Sequence, residues 1–441
     1  MNKEPIDHSN VAADIRATTP IDSLRKLNPE RPIWIQVGQI LDGQSTPLKN
    51  AHLVYDKDEI LFVGASNQTP PAENLKPGQS APDCILENHT ALPGLIDGHT
   101  HIFLEGAELD FEKRKAYQSQ NADALLQASE QRCRQLVAHG IIAMRDGGDK
   151  DNVGLRLSQY RTEAPFAQVF SPGPGINRIK RYGRFFCEPF EGFETAKQVV
   201  DDRVARGADH IKIVPTGIIN FAKAAVVAKP QFSIEQVQAI AIVAHQRSKH
   251  IMAHASGEVG IRVGIEGGVD TIEHGFFITD EQLQRMRDLN TTWVPTFAPV
   301  QKQVDHAEVV GWGDLERDNL QIILCKHANS LQKALALGVR VLVGSDAGSY
   351  GVGHAEGLFY EMELLENAGM PSLEVINAST GGNAETLLNN PGFGRLAAGQ
   401  KSRFILTEYD PLKSVVALKK EKTVVFDKRI FNSSEANPTS F

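Results

Sequence analysis

The segment LPGLIDGHTH, from Leu92 to His101, is a short apolar run that ends in two histidines. It is the first of eight such runs, and helix-length stretches lie between most of them. Short apolar runs that end in polar residues or glycine and alternate with helices indicate buried parallel strands. The predicted strands are Leu95–His101, Ile141–Asp146, Ala167–Ser171, His210–Pro215, His250–His254, Thr271–His274, Thr292–Phe297 and Arg340–Asp346.

The stretches between these strands carry helix start and stop signals. Ser233 with Gln236 three residues later is a capping box, and Gly140, Gly207 and Gly338 follow helix-like segments. Eight strand–helix alternations over about 300 residues predict an α/β fold, a (β/α)8 TIM barrel. An open doubly wound sheet would carry a nucleotide loop after its first strand, and none follows here. The predicted helices are Ala122–His139, Glu194–Arg206, Ser233–Ser248, Glu281–Leu289, Arg317–Leu337 and Leu373–Leu388.

Both ends of the chain are rich in strand patterns, and they flank the barrel. Residues 31–92 and 393–441 therefore predict the two parts of one small β domain, with a C-terminal tail, and residues 93–392 predict the barrel. Residues 1–30 are polar and predict an additional N-terminal arm that serves subunit contact.

Composition excludes several classes of protein. Of 441 residues, 41 % are hydrophobic and 23 % are charged, which is typical of a globular chain and not of a disordered or fibrous one. The net charge of -8 argues against a nucleic-acid-binding surface. No segment approaches about 20 uninterrupted apolar residues, and the four cysteines form no CxxC pair. We therefore expect a cytoplasmic homo-oligomer that acts on a small molecule, without membrane or nucleic-acid partners.

The catalytic mouth of such a barrel lies at the carboxyl ends of its strands, and metal-binding residue types gather there. His99 and His101 are two residues apart on a strand, so both side chains face the same side and can share one metal ion. His254 and His274 each end a predicted strand, one strand–helix unit apart. Taken singly, these residues can also be surface or core histidines.

Two further residues belong to the same pattern. Lys212 lies between two isoleucines of a predicted strand, where burial would favour a neutral amine that can react with carbon dioxide to form a carbamate. The alternative is a lysine that faces solvent or pairs with an acid. Asp346 follows a run of valine and leucine, where a carboxylate is expected to bind a cation or accept protons, or else to cap a helix. Together the six residues predict a metal centre.

The order HxH, Lys, His, His, Asp, within LPGLIDGHTH, MRDGG, HIKI, AHAS, IEHG and GSDA, resembles the amidohydrolase superfamily. Within it, the chain is similar to the prolidase-like and imidazolonepropionase-like hydrolases. The resemblance spans about Pro32 to Pro411 and implies that the terminal strands form a small β-sandwich. It implies two divalent metal ions, with zinc expected. The implied ligands are His99, His101 and Asp346 for one ion and His254 and His274 for the other, bridged by N6-carboxylated Lys212.

The resemblance also implies a reaction. A metal-bridging hydroxide would attack an amide or peptide carbonyl, while Asp346 accepts the proton and passes it to the leaving nitrogen. Related deaminases place a glutamate three residues after the fifth-strand histidine, but this chain has Gly257 there and retains Lys212, which favours hydrolysis. The alternatives are an imidazolonepropionase-like cyclic-amide hydrolase, a lactonase or esterase, and a barrel kept as a non-catalytic scaffold.

The loop after the third strand, SPGPGINRIKRYGRFF, indicates the substrate. It holds four cations, and an arginine can bind a carboxylate through two parallel hydrogen bonds. We therefore expect a carboxylate-bearing substrate, such as an Xaa-Pro dipeptide or an N-acyl amino acid. The alternative is a solvated loop whose charges point outward. The candidate substrate contacts are Arg178, Arg181, Tyr182 and His354.

Overall fold

The strands of the protein separate into one sheet built from both chain ends and two sheets built from the middle. The structure is a computed structural model, and it describes residues 20–160, 162, 164–190 and 195–433. Most of the predicted N-terminal arm and the last residues of the chain therefore lie outside the described residues. The strands are β1 (Ile33–Ile40), β2 (Leu48–Tyr55), β3 (Ile60–Gly64), β4 (Cys84–Pro93), β5 (Leu95–Thr100), β6 (Ile141–Asp146), β7 (Gln168–Phe170), β8 (Gly175–Arg178), β9 (Cys187–Phe190), β10 (Ile211–Ile213), β11 (Ile251–Ala255), β12 (Thr271–His274), β13 (Thr292–Val294), β14 (Arg403–Thr407), β15 (Thr423–Phe426) and β16 (Arg429–Asn432).

Helices connect most of the central strands. They are α1 (Pro20–Leu24), α2 (Phe111–Gln118), α3 (Ala122–Ala138), α4 (Val153–Ser158), α5 (Ala196–Ala205), α6 (Ile234–Gln246), α7 (Glu258–Glu266), α8 (Asp280–Leu289), α9 (Ala298–Asp305), α10 (Ala307–Val310), α11 (Asp314–Leu337), α12 (His354–Asn367), α13 (Ser372–Ala378) and α14 (Gly381–Thr386). The predicted helix Leu373–Leu388 is thus two helices, since a pair of glycines opens α14 and weakens a continuous helix there. None of the helices within the described ranges has the length and apolar character that a membrane crossing needs.

The sheet built from both ends has the order β16-β15-β14-β4-β1-β2-β3. Strands β14 and β2 are separated by β4 and β1, yet Tyr55 and Phe404 meet edge to face with ring centroids 4.9 Å apart. Three strand spacings in a flat sheet span about 14 Å, so this sheet curls around a core. Leu24 of α1 is buried in the same core, so the end of the predicted arm packs on the sheet.

The central strands form two parallel sheets, one of six strands (β13-β12-β11-β10-β8-β9) and one of three (β5-β6-β7). Seven of the eight predicted strands are present within a few residues of their expected bounds. The eighth, Arg340–Asp346, is not a continuous strand: it joins its neighbours through the isolated bridges Trp293↔Val341 and Thr100↔Ala347. A side chain interrupts the ladder, because the Ser345 amide donates to the Asp97 carboxylate (2.9 Å) instead of to a backbone carbonyl.

This eighth segment connects the two parallel sheets. On one side the Leu342 amide donates to the carbonyl of Trp293 in β13 (2.9 Å). On the other side the Asp346 amide donates to the carbonyl of His99 in β5 (2.7 Å). The carboxyl ends of β5 and β13 are therefore brought to the same region of the molecule, where the polar residues of the predicted site lie.

Candidate metal centre and substrate cavity

The six predicted metal ligands converge at the carboxyl ends of the central strands. Each is buried, with at most 9 % of its surface exposed. The Nε2 atoms of His99 and His101 lie 3.5 Å and 3.7 Å from Oδ1 of Asp346. The imidazole of His274 lies between two others, with ring centroids 5.1 Å from His99 and 4.5 Å from His254. Residues that are far apart in the sequence thus form one compact cluster.

Four polar atoms of this cluster have no hydrogen-bond partner among the described residues, although all are buried. They are His99 Nε2, Lys212 Nζ, His254 Nε2 and Asp346 Oδ1. A buried polar atom without a partner costs about 1–3 kcal/mol, so four in one cluster indicate that they serve a ligand. Imidazole nitrogens and carboxylate oxygens are donors that divalent metals such as zinc accept. The residues present therefore fit divalent cations.

One difference from the implied ligand sets concerns His274. Its ligand atom lies within 4.8 Å of those of His99 and Asp346, which were assigned to the other metal ion. The three residues lie at the ends of β5, β12 and the eighth segment, so the fold itself brings them together. His99, His274 and Asp346 thus form one compact group of possible ligand atoms.

Hydrogen bonds on the far side of the rings determine which nitrogen faces the centre. His101 Nδ1 lies 3.2 Å from the carbonyl of Gly148, which can only accept. His274 Nδ1 lies 2.7 Å from Oγ1 of Thr296, whose own proton is donated to the carbonyl of Pro295 (2.8 Å). Both Nδ1 atoms must therefore carry the proton, and both Nε2 lone pairs are available to a metal ion.

The imidazole of His99 is held by a buried charge network. Its Nδ1 lies 2.8 Å from Oε2 of Glu273, which has no exposed surface. The other oxygen, Oε1, accepts from the hydroxyl of Thr271 and lies 3.5 Å from Nη1 of the buried Arg145. A carboxylate behind a ligand histidine orients the ring and makes it more basic.

Burial controls the protonation of the ligands. Desolvation, followed by the charge of Lys212, lowers the pKa of His101 and His254 to about 3, so both are neutral at pH 7, as metal ligands must be. Desolvation lowers the pKa of Lys212 to about 8, which leaves a neutral amine accessible. It also raises the pKa of Asp346 to about 7, and a cation beside Asp346 would favour the ionised carboxylate again.

The backbone at the strand ends is turned into the left-handed region. His274, Thr296 and Asp346 have φ angles of 68°, 50° and 54°. Such conformations cost a non-glycine residue of order 1–3 kcal/mol and cluster at functional sites. Here they bend the chain at the end of β12, just after β13 and at the end of the eighth segment.

The cluster forms one end of a cavity of about 770 Å³. His101, His254, His274 and Asp346 line it together with mostly apolar and aromatic side chains. A cavity of this size accommodates a small organic molecule. The arrangement can therefore present a substrate bond to bound cations and to the Asp346 carboxylate.

Of the four predicted substrate contacts, only Tyr182 lines this cavity, with its ring centroid 5.2 Å from that of His254. The guanidinium of Arg178 lies over the ring of Phe190 (5.2 Å), and Arg181 donates to the carbonyl of Lys229. His354 Nε2 lies 2.9 Å from the carbonyl of Leu104.

Arg178, Arg181 and His354 thus lie outside the lining of this cavity, and their role as substrate contacts stays a prediction. The loop reverses at Lys180 (φ 58°) and Gly183 (φ 104°). These two left-handed residues direct the aromatic side chains of the loop into the cavity. Tyr182, which the sequence predicts as a substrate contact, is one of these aromatic residues.

Sequence reasoning missed several residues around the centre. Glu273 and Asp97 lie within the motifs IEHG and LIDGH, and both are buried acids in strands. An acid inside an apolar strand is a usable signal, because it must have a partner. No comparable signal marked Thr296, Val300 or Trp312, which also line the cavity. In the sequence they lie between His274 and Asp346.

The chain resembles known proteins over most of its length. Residues 90–427 match the Amidohydrolase family. The chain is 25 % identical over 430 residues to the ochratoxinase of Aspergillus niger, and this alignment covers 88 % of this chain and 84 % of the ochratoxinase. It is 20 % identical over 269 residues to the imidazolonepropionase of Micrococcus luteus, covering 57 % of this chain and 63 % of that protein.

A solved structure has a similar fold. The structure of a Xaa-Pro dipeptidase with methionine bound in its active site superimposes with a TM-score of 0.73 at 22 % sequence identity. The match covers 91 % of this chain and 99 % of the dipeptidase. Because the family match extends over most of the chain, this protein belongs to the amidohydrolase family.

Proposed function

We propose that this protein is a metal-dependent hydrolase that cleaves the amide or peptide C–N bond of a small molecule. One observation carries the proposal: among the described residues, buried polar atoms of His99, Lys212, His254 and Asp346 have no hydrogen-bond partner, and His254 and Asp346 line a substrate-sized cavity. A non-catalytic scaffold would have no reason to maintain four unsatisfied polar atoms there. The names of the relatives, ochratoxinase and Xaa-Pro dipeptidase, also support a hydrolase.

We propose two divalent cations, with zinc expected. His99, His101 and Asp346 would hold one, and His254 and His274 the other. Lys212, as its N6-carboxylated form, would bridge them. Its burial at 1 % exposure supports this role, as does its Nζ, which has no hydrogen-bond partner in the part of the chain that the structure describes. The close spacing of His274 to His99 and Asp346 supports a pair of ions that share one compact set of ligands.

When bound, such cations acidify a water molecule and polarise the substrate carbonyl. The two oxygens of Asp346 have different roles in this reaction. Oδ2 accepts a hydrogen bond from the hydroxyl of Ser349 (2.9 Å), which orients the carboxylate. Oδ1 has no hydrogen-bond partner among the described residues, so the Asp346 carboxylate would be able to take a proton from the attacking water and pass it to the leaving nitrogen.

We also propose that seven strands of the two parallel sheets (β5, β6, β7, β10, β11, β12 and β13) and the segment Arg340–Asp346 form a closed eight-stranded barrel. Strands β8 and β9 extend the six-stranded sheet beyond β10 and are not counted among the eight. Besides the bonds of that segment to β5 and β13, the Asp209 amide before β10 donates to the carbonyl of Ser171 after β7 (2.8 Å), which links the two sheets on the other side. The curled sheet would be the small β-sandwich domain, formed by residues 31–92 and 393–441. Homo-oligomerisation and a cytoplasmic location stay predictions.

Metal analysis and one substitution test the proposal. We expect the purified protein to contain about two zinc ions per chain, and Lys212→Ala to lose one or both together with nearly all turnover. Bicarbonate should aid the reconstitution of the wild-type protein. Less than about one metal ion per chain, with no amide hydrolysis after addition of zinc, would contradict the mechanism.

Lys422→Ala is the matched control. Lys422 is a second buried lysine, and burial lowers its pKa to about 8 as well. Its Nζ donates to the carbonyl of Leu418 (2.7 Å). Lys422 directly precedes β15 of the sheet built from both chain ends. This variant should lose stability but keep its metal ions, so equal metal content in the two variants would reject the role of Lys212.

A further inference from the structure

The cavity has an aromatic wall directly beside the candidate metal centre. Phe185 and Phe186 meet edge to face with ring centroids 4.7 Å apart, and Tyr182 lies 6.1 Å from Phe186. The wall contacts the ligands themselves, since Phe186 lies 5.0 Å from His101 and Tyr182 lies 5.2 Å from His254 between ring centroids. A substrate group next to the reacting bond therefore meets aromatic faces and edges.

A second wall is also apolar. Phe276 and Val300 are buried in a cluster against which Phe221 and Trp312 pack, and all four line the cavity. The one polar atom of the Trp312 ring, Nε1, is already engaged, because it donates to Oε1 of Gln303 (3.1 Å). This wall consequently offers contact area rather than hydrogen bonds.

Charge is scarce in the cavity. Among the described residues that line it, Arg114 is the one lysine or arginine and Asp346 is the one acid. The Arg114 guanidinium is 8 % exposed, and its Nη2 donates to the carbonyl of Gly348 (3.0 Å). Its Nη1 donates to the carbonyls of Glu105, Gly106 and Glu108. These hydrogen bonds tie the Arg114 guanidinium to the backbone of two loops.

We infer that the substrate group that fills this cavity is bulky, aromatic or branched, and uncharged. The inference rests on the proposed amide hydrolysis and replaces the expectation of a carboxylate-bearing substrate. A carboxylate on the part of the substrate that meets the apolar walls would lose its hydration, and Arg114, the one lysine or arginine among the described lining residues, already donates to backbone carbonyls. An aromatic group would exchange water for aromatic and aliphatic contacts. Selectivity should therefore follow size and neutrality.

Three 4-nitroanilides that differ only in the acyl group test this selectivity on the zinc-loaded enzyme. Hydrolysis of each consumes one water and releases a carboxylic acid and 4-nitroaniline, which is followed by its absorbance. We expect kcat/KM for the phenylacetyl compound to exceed that for the acetyl compound by about tenfold or more. The succinyl compound, with its free carboxylate, should be slowest. A succinyl compound that equals or exceeds the phenylacetyl one would overturn the inference.

Binding of the same three compounds, measured by calorimetry, separates this inference from the proposed function. Absence of hydrolysis with the phenylacetyl compound still bound most tightly would contradict amide hydrolysis but support the neutral apolar site. Equal hydrolysis of all three would support the hydrolase and overturn the selectivity. Absence of both hydrolysis and binding would overturn the inference.

A substitution at the cavity rim provides a second test. Ile218 lines the cavity and is 60 % exposed, so Ile218→Lys places a cation there without disturbing the core. We expect it to raise kcat/KM for the succinyl compound relative to the phenylacetyl compound severalfold. The matched control is Ile242→Lys on α6, where Ile242 is 58 % exposed and lies outside the cavity lining. If both variants leave the ratio unchanged, the acyl group does not occupy this cavity, and the inference is wrong.

Discussion

At the scale of single residues, Glu273 lies behind His99 of the candidate metal centre. It accepts the Nδ1 proton of His99 and lies beside Arg145, with no exposure to solvent. Glu273→Gln keeps the shape but removes the negative charge, so His99 becomes less basic and Arg145 keeps a buried, uncompensated charge. We expect metal affinity to fall about 10–100-fold and the free energy of unfolding to fall by about 3 kcal/mol.

Chelator competition measures the affinity, and denaturant unfolding measures the stability. Glu266→Gln is the control, since Glu266 forms a surface ion pair with Arg285 (2.9 Å), and such pairs contribute about 0–1 kcal/mol. Metal affinity of Glu273→Gln equal to that of the control would show that His99 needs no carboxylate behind it.

At the scale of elements, the eighth segment is packed so closely that only glycine fits at position 344. A Cβ atom there would lie 2.6 Å from Cγ1 of Val294 and 2.7 Å from Cβ of His99. Gly344→Ala must therefore push the segment away from β13 and β5, which displaces Asp346 from His99. We expect a destabilisation of about 1–3 kcal/mol, as for other overpacked cores, together with loss of metal.

Metal content and thermal unfolding check this prediction. Gly353→Ala serves as the control, because the nearest atom to a new Cβ there is Cβ of Ala107 at 3.6 Å, an ordinary contact. A Gly344→Ala protein with full metal content would mean that the segment can shift without moving its carboxylate.

At the scale of the whole molecule, buried histidines make stability depend on pH. His327 is 2 % exposed and stacks on Phe276 with ring centroids 3.9 Å apart, while Nε2 donates to the carbonyl of Pro295 (3.1 Å). Burial lowers its pKa from 6.5 to about 3. Between these values the unfolded chain binds a proton that the folded chain does not, so stability falls as the pH falls.

The variant His327→Gln removes this titration and can still donate to Pro295. Between pH 7.5 and pH 4.5 we expect the wild-type protein to lose about 2–3 kcal/mol more of its unfolding free energy than the variant. Urea unfolding at both pH values measures the difference, and the contributions of the other histidines cancel between the two proteins. Equal losses would mean that protonated His327 is accommodated in the fold.

The sequence by itself determined the alternation of strands and helices and the positions of the six candidate ligands. Both follow from local rules: short apolar runs become buried strands, and polar residues at their ends lie at one edge of a parallel sheet. Asp346 was located in this way although its segment is bridged rather than paired as a continuous strand. These rules involve neighbours within one strand–helix unit, and a single sequence contains that information.

Only the tertiary structure decided which atoms face the centre and what surrounds it. The protonated nitrogen of His274 depends on Thr296, and the carboxylate behind His99 comes from another strand. The loop that follows β8 turns at two left-handed residues, and of its predicted substrate contacts Tyr182 lines the cavity while Arg178 and Arg181 do not. Trp312 joins the wall from a distant segment. Such contacts arise from backbone dihedrals and long-range packing, which are set by the whole fold and have no local pattern in the chain.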